Sequence, residues 1–200
     1  VNWEAKQRCK DLILVPPQYD QYLKYSKLAH EIYYRYTDLV EPFGMDECWL
    51  DVTGCEIYGK PLEIAEEIRQ SVKEELGLTV SIGVSFNKIF AKLGSDLKKP
   101  DAITVITKQN FKENIWPLAA SELLYVGSAT TKKLASYGIK TIGDLAATEP
   151  STLKYMFGIN GLKLWRYANG TDESRVMQKD FVSPVKSIGH GITCTADLDN

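Results

Sequence analysis

The sequence predicts an α+β fold in two parts: a small sheet covered by helices over residues 18–107, then a small all-helical domain over residues 108–174. Three observations point to this division. Apolar residues recur at helical spacing in two long stretches, 20–36 and 61–76. Residues 79–106 read strand, helix, strand. After about residue 108 strand-forming runs stop and short helical patterns take over, which marks a boundary.

Val1 to Cys9 reads as a short helix, followed by an extended Leu12-Ile13-Leu14-Val15 that Pro16-Pro17 stops. From Asp20, the residues Tyr22, Tyr25, Ala29, Ile32, Tyr33 and Tyr36 share one helix face that is expected to be buried. Val40-Glu41-Pro42-Phe43 and Cys48-Trp49-Leu50-Asp51-Val52 read as strands, with Thr53-Gly54 as the exit turn. Pro61 opens a second helix with Leu62, Ala65, Ile68, Val72 and Leu76 on one side, and Gly77 stops it. Thr79 to Ser85 is rich in β-branched residues; a helix bearing Ile89, Phe90, Leu93 and Leu97 follows, and then a strand from Ala102 to Ile106. In the helical part, Thr141-Ile142-Gly143-Asp144 has the form of a helix-start cap, and Asn160-Gly161 opens a helix carrying Leu162, Leu164 and Trp165. Residues 175–185 read as a polar tether, and Val185 to Thr195 as a strand without partners, so the chain looks cut from a longer protein at both ends.

With 200 residues, 44% of them hydrophobic and 25% charged, the chain can bury one good core or two modest ones. No apolar run approaches the roughly 18 residues that span a bilayer, and the N-terminus has no secretory pattern, so no membrane partner and a cytoplasmic location are expected. Cys9, Cys48, Cys55 and Cys194 form no C-x-x-C pair, which argues against a zinc site or a disulfide framework. The net charge of −2 hides an asymmetry: residues 1–80 carry 9 basic and 15 acidic side chains, net −6, which leaves +4 for residues 81–200. So small an excess is compatible with a polyanion but does not establish one.

Asp46 and Glu47 are adjacent acids inside an otherwise apolar, strand-like run. Ionised carboxylates need compensation, so the pair suggests a bound cation, a hydrogen-bond network or a solvated turn. Neighbouring strand residues face opposite ways, and both acids can reach one ion only at a bend, bulge or hairpin tip. Oxygen-only ligation favours Mg²⁺ or Mn²⁺, ions that fill their shells with water and substrate phosphates, and phosphoryl transfer is the reaction class this implies. Asp51 lies nearby but reads as structural, its carboxylate bonding backbone in the Asp51-Val52-Thr53-Gly54 turn.

Two long segments, Met45 to Gly54 and Ser81 to Pro100, together resemble the palm of Y-family translesion DNA polymerases of the DinB, or DNA polymerase IV, branch. Val126-Gly127-Ser128-Ala129-Thr130-Thr131-Lys132-Lys133-Leu134 is similar to that family's thumb helix-hairpin-helix, and Lys186-Ser187-Ile188-Gly189-His190 to the start of its little finger. The resemblance covers nearly the whole chain in matching order. It divides residues 1–17 (end of the fingers), 18–107 (palm), 108–174 (thumb) and 175–200 (tether and first little-finger strand). It implies template-directed DNA synthesis across damaged bases, with dNTP and primer-template DNA as partners and two Mg²⁺ or Mn²⁺ ions per active site. Asp46 would ligate metal, and Glu47 would sit by the primer 3′-hydroxyl and help hold the catalytic ion. Lys99, before Pro100, matches a triphosphate-binding lysine, where the residues alone favour a solvated lysine stabilised by a helix dipole. Gly127, Thr130 and Lys132 would accept a DNA phosphate without reading bases. The family usually has glycine where this chain has Tyr125, and a bulkier hairpin is expected to bind phosphate less well. His190 is assigned no role.

The family's palm also needs an aspartate on an N-terminal strand, and none precedes Val1, so the isolated chain is expected to bind metal weakly and not to polymerise. The resemblance admits a sliding clamp as a partner, through C-terminal parts outside this sequence. Two other classes differ in what they require. A non-catalytic DNA-binding protein with a decayed palm would not need Asp46, Glu47 and Lys99 intact. Another palm-type enzyme, such as a nucleotide cyclase, would have no duplex for the hairpin to grip.

Overall fold

Helix α1, Asn2–Arg8, buries no residue and is held by an exposed Arg8–Glu4 pair at 2.8 Å. The computed structural model describes residues 1–182 and 184–192. The extended run after α1 lies open, with Ile13 and Val15 exposed and no strand partner among the described residues. Helix α2, Tyr19–Tyr33, buries only Ile32 fully. Tyr22 and Tyr25, expected on its buried face, are exposed because nothing described packs over the first turns. The C-terminal end of α2 meets α3, Pro61–Leu76, in a cluster of Ile32, Ile64, Ile68 and Val72, ringed by Tyr33, Tyr36, Leu50, Val52 and Ile82. Leu62 stays half exposed, and Ile64 takes the buried position in its place. Proline starts α3, where a missing N–H costs nothing, and Glu63 accepts the Lys60 N–H at 2.7 Å. Gly77 ends α3 in the left-handed conformation.

Among the described residues two sheets, each of two strands, replace the single layer expected. Strands β1, Val40–Pro42, and β2, Cys48–Leu50, form an antiparallel hairpin in the register Val40↔Leu50, Glu41↔Trp49, Pro42↔Cys48. Both are shorter than the sequence suggests. Asp51 ends β2, since its Oδ1 accepts the Thr53 N–H at 2.9 Å and turns the chain. Strands β3, Ile82–Ser85, and β4, Ile103–Ile106, are parallel and joined by α4, Lys88–Leu97, a βαβ unit. The Asn87 side chain caps α4, its Oδ1 accepting the Phe90 N–H at 2.8 Å.

The helical part comprises α5, Phe111–Ile115, α6, Ser128–Ser136, α7, Ile142–Ala147, α8, Pro150–Phe157, and α9, Ile159–Ala168. The expected cap at Thr141 is present: its hydroxyl accepts the Asp144 N–H at 3.0 Å, and Asp144 Oδ2 accepts the Thr141 N–H at 2.9 Å. The core of these helices does not stop at residue 108. Ile89, Phe90 and Leu93 of α4 and Ile106 of β4 join Phe111, Ile115, Leu134, Leu145, Leu153 and Leu164 in one cluster. Helix α4 therefore serves both parts.

After α9 the chain runs irregularly yet is tied down. Glu41 Oε2 accepts the Met177 N–H at 2.8 Å, Lys88 Nζ donates to the Arg175 carbonyl at 3.3 Å, and Lys179 pairs with Asp38 at 2.8 Å. The segment read as a polar tether is thus tied to β1, to α4 and to the turn before β1. Residues 185–192 form no strand and leave Val185, Ile188 and Ile192 exposed; the remainder of the strand expected up to Thr195 lies outside the described residues, as does Cys194. Among the described residues no helix is long and apolar enough to cross a membrane.

Candidate functional site

The β1–β2 hairpin closes through backbone bonds from Phe43 and Gly44 to the Glu47 carbonyl, at 2.9 and 3.3 Å, which leaves Asp46 and Glu47 on the hairpin tip. This is the geometry in which adjacent carboxylates can escape the opposite-face rule of a flat strand. The apolar residues between which they sit keep the hairpin rigid. Trp49 is buried, donates its indole N–H to the Lys88 carbonyl at 2.9 Å, and packs against Phe43 with ring centroids 4.6 Å apart. Burial pushes the Cys48 thiol up to about 12, so the residue beside Glu47 is an inert core group.

Helix α4 runs past this tip and supplies the basic half of the site. Lys92 Nζ lies 3.0 Å from Glu47 Oε1 and 2.6 Å from Asp96 Oδ2; Lys99 Nζ lies 2.8 Å from Asp96 Oδ1. The hairpin acid and Lys99, 52 positions apart in the chain, are thus joined by one row of ion pairs, Glu47–Lys92–Asp96–Lys99. Burial works against the charge on Lys92, but the hydrogen bonds to Asp96 and Glu47 outweigh it and hold the ammonium above its ordinary value. Asp96 is likewise partly desolvated, and its bonds to Lys92 and Lys99 keep it below the usual carboxylate range. Sequence reasoning missed Lys92 and Asp96. Part of their signal was available: Lys92 and Asp96 sit at i and i+4 with opposite charge, neighbours on one face of a helix.

The two tip carboxylates suit a hard divalent ion by donor type, since both are oxygen donors near solvent and Glu47 is already compensated by a cation, Lys92. Among the described residues no group of three or more metal-ligating side chains is found, so such an ion would need its remaining ligands from water, substrate or other chain segments.

On the helical side, Gly127 is the N-cap of α6, Thr130 lies in its first turn and Lys132 is exposed further along. The first intrahelical bond runs from Thr131 N–H to the Gly127 carbonyl at 2.9 Å, and the amides of Ser128, Ala129 and Thr130 have no intrahelical acceptor. One element thus brings the three residues and a set of outward amides together. Just before them, Tyr125 holds φ 70°, in the left-handed region that glycine favours. Its ring is exposed and lies 6.2 Å from that of Tyr167. A cleft is lined by Phe43, Trp49 and Lys88 together with Tyr125, Tyr167 and Ser174. His190 is exposed, and no contact assigns it a role.

Residues 2–96 match the model of the impB/mucB/samB family, and residues 122–172 match a model described as DNA polymerase-iota, thumb domain. The chain is 52% identical to DNA polymerase IV of Acetivibrio thermocellus over 199 residues, 99% of this chain and 50% of that protein. It is 40% identical to DNA polymerase IV 1 of Bacillus subtilis, over 98% of this chain and 47% of the relative. Among solved structures, a Y-family chimera of Dbh and Dpo4 superposes with a TM-score of 0.80 at 27% identity, over 90% of this chain and 53% of that one. The insertion ternary complex of Dbh DNA polymerase gives 0.79 at 27%, over 88% and 52%. The chain therefore spans about half the length of the curated relatives it matches.

Proposed function

We propose, for a chain that belongs to the Y-family of DNA polymerases in its DinB branch, that it forms the palm and thumb of an enzyme adding dNMP to a primer 3′-hydroxyl, including opposite damaged template bases. One observation carries the reading beyond family likeness: Asp46 and Glu47 stand on a hairpin tip, and Glu47 is linked through Lys92 and Asp96 to Lys99. Acids that would face metal and a lysine that would face triphosphate converge on one edge of the βαβ unit.

In this reading Asp46 and Glu47 hold divalent cations, which when bound supply charge stabilisation at the attacking and leaving oxygens. Glu47 orients the primer 3′-hydroxyl and receives compensation from Lys92. Lys99, two residues past the end of α4, offsets charge developing on the departing pyrophosphate. The α6 N-terminus, with Gly127, Thr130 and Lys132, grips a phosphate of the duplex through amides and one ammonium, which positions DNA without reading its sequence. Residues 1–17 correspond to the end of the fingers, 18–107 to the palm, 108–174 to the thumb and 175–200 to the tether and start of the little finger.

The test is primer extension on an undamaged and a lesion-bearing template by a polypeptide of the relatives' full length, beside its Asp46→Asn variant. Extension that the variant loses by at least about a hundredfold supports the reading. Equal extension by both would overturn it.

A further inference from the structure

We propose that Lys92 is a positioning residue that occupies Glu47 when no divalent ion is bound, and that Lys99 sets the strength of this hold through Asp96; the inference rests on the reading of Glu47 as a metal ligand. The row of charges is the basis. Asp96 gives one carboxylate oxygen to each lysine, Oδ2 to Lys92 at 2.6 Å and Oδ1 to Lys99 at 2.8 Å, so the two cations compete for one anion. Lys92 in turn divides itself between Asp96 and Glu47, at 2.6 and 3.0 Å. Its side chain is 15% exposed, against 56% for Lys99. The enclosed lysine cannot swing into water, whereas the open one can leave freely for a polyphosphate.

The consequence is a defined direction of coupling. When Lys99 turns to a polyphosphate, Asp96 keeps its full charge for Lys92 and draws it off Glu47, which is then free for a cation. Binding of anion at Lys99 and of cation at Glu47 therefore help each other, and by linkage the help is reciprocal. An ammonium between two carboxylates also explains why Glu47 rests in place on an otherwise solvent-facing tip.

The experiment measures Mn²⁺ binding to the full 200-residue chain from the spin-resonance signal of the free ion, with no polyphosphate present to bind the ion itself. Lys99→Gln imitates the lysine withdrawn from Asp96. It is expected to tighten Mn²⁺ by roughly two- to fivefold, the scale of one partly exposed ion pair. Lys92→Met should tighten it further, and Lys92→Arg should restore wild-type affinity. Asp96→Asn should weaken it, and in the Asp96→Asn background Lys99→Gln should change nothing. An equal effect of Lys99→Gln in both backgrounds would mean that bulk charge alone acts, and would overturn the coupling while leaving the metal site standing. Mn²⁺ affinity unmoved by Asp46→Asn and Glu47→Gln would overturn the site and the coupling together. Thermal midpoints of the variants monitor folding, and Lys99→Met serves in place of Lys99→Gln if the latter is unstable.

Discussion

Gly83 of β3 faces the carbonyl oxygen of Ala91 in α4 so closely that a Cβ on Gly83 would lie 1.8 Å from that oxygen. From the other side, a Cβ on Gly94 would come within 3.1 Å of the Gly83 Cα. Helix α4 thus rests directly on the strand, which carries Lys92, Asp96 and Lys99 close to the hairpin tip. Gly83→Ala should push the helix outward and cost about 3 kcal/mol, checked by urea denaturation. It should also lengthen the Glu47–Lys92 pair. Because the clash is with backbone, no side-chain rearrangement relieves it.

Acid should weaken the tie between α3 and the turn after α4. Asp101 accepts from Lys73 at 2.7 Å and Arg69 at 2.6 Å, bonds that hold its carboxyl below the ordinary 3.8. A depressed folded-state value means stability that is complete above the ordinary range and lost as pH falls through the folded one. Urea midpoints followed from pH 6 to pH 2.5 should drop less steeply below about pH 4 in Asp101→Asn than in the wild type. Asparagine suits the test, since Asp101 has φ 54°, a conformation it tolerates.

Releasing the tether should expose it to protease. Glu41 pairs with Lys88 at 2.7 Å and accepts the Met177 N–H, and both charged side chains are largely enclosed. Glu41→Ala should therefore cost about 2 kcal/mol and leave Lys88 with an uncompensated charge over the Trp49 ring. Trypsin cleavage after Arg175 and Lys179, timed by mass spectrometry, should run several times faster in the variant. Unchanged cleavage would show that the docked segment is held by other contacts.

The hairpin carrying Tyr125 offers a gain rather than a loss. A left-handed non-glycine residue costs roughly 1 kcal/mol, and Tyr125 stands two positions before Gly127, the N-cap of α6. Tyr125→Gly should tighten duplex DNA binding a few-fold. Lys132→Ala should weaken it uniformly across sequences and flatten its dependence on salt, because one phosphate contact fewer releases fewer counterions. Fluorescence anisotropy at several salt concentrations reads both.

Much of this architecture was legible in the residues, and the rest was not for physical reasons. Pro61, Gly77 and Thr141 mark helix ends by local chemistry, so those boundaries stand where the sequence reading put them. The buried face of α2 did not follow, because Tyr22 and Tyr25 have the right period but no described partner to cover them. The strand ends depended on hydrogen bonds two residues away, as at Asp51 and Thr53. Asp46, Glu47 and Lys99 were singled out by motif, and the turn bond read for Asp51 is present. Lys92, Asp96, Glu41 and Lys88 were passed over, since each gains meaning only from a neighbour distant in sequence or on another element. The shared core of α4 was invisible for the same reason: periodicity shows that a face is buried, never what buries it.

The most direct test is a crystal of a polypeptide of the relatives' full length with primer-template DNA, an incoming dNTP and Mg²⁺. Asp46 and Glu47 should each place a carboxylate oxygen about 2.0–2.1 Å from an ion, with Lys99 turned from Asp96 to the triphosphate. Density showing both acids directed away from any ion, with Lys99 still on Asp96, would contradict the assignment of this hairpin tip as the catalytic centre.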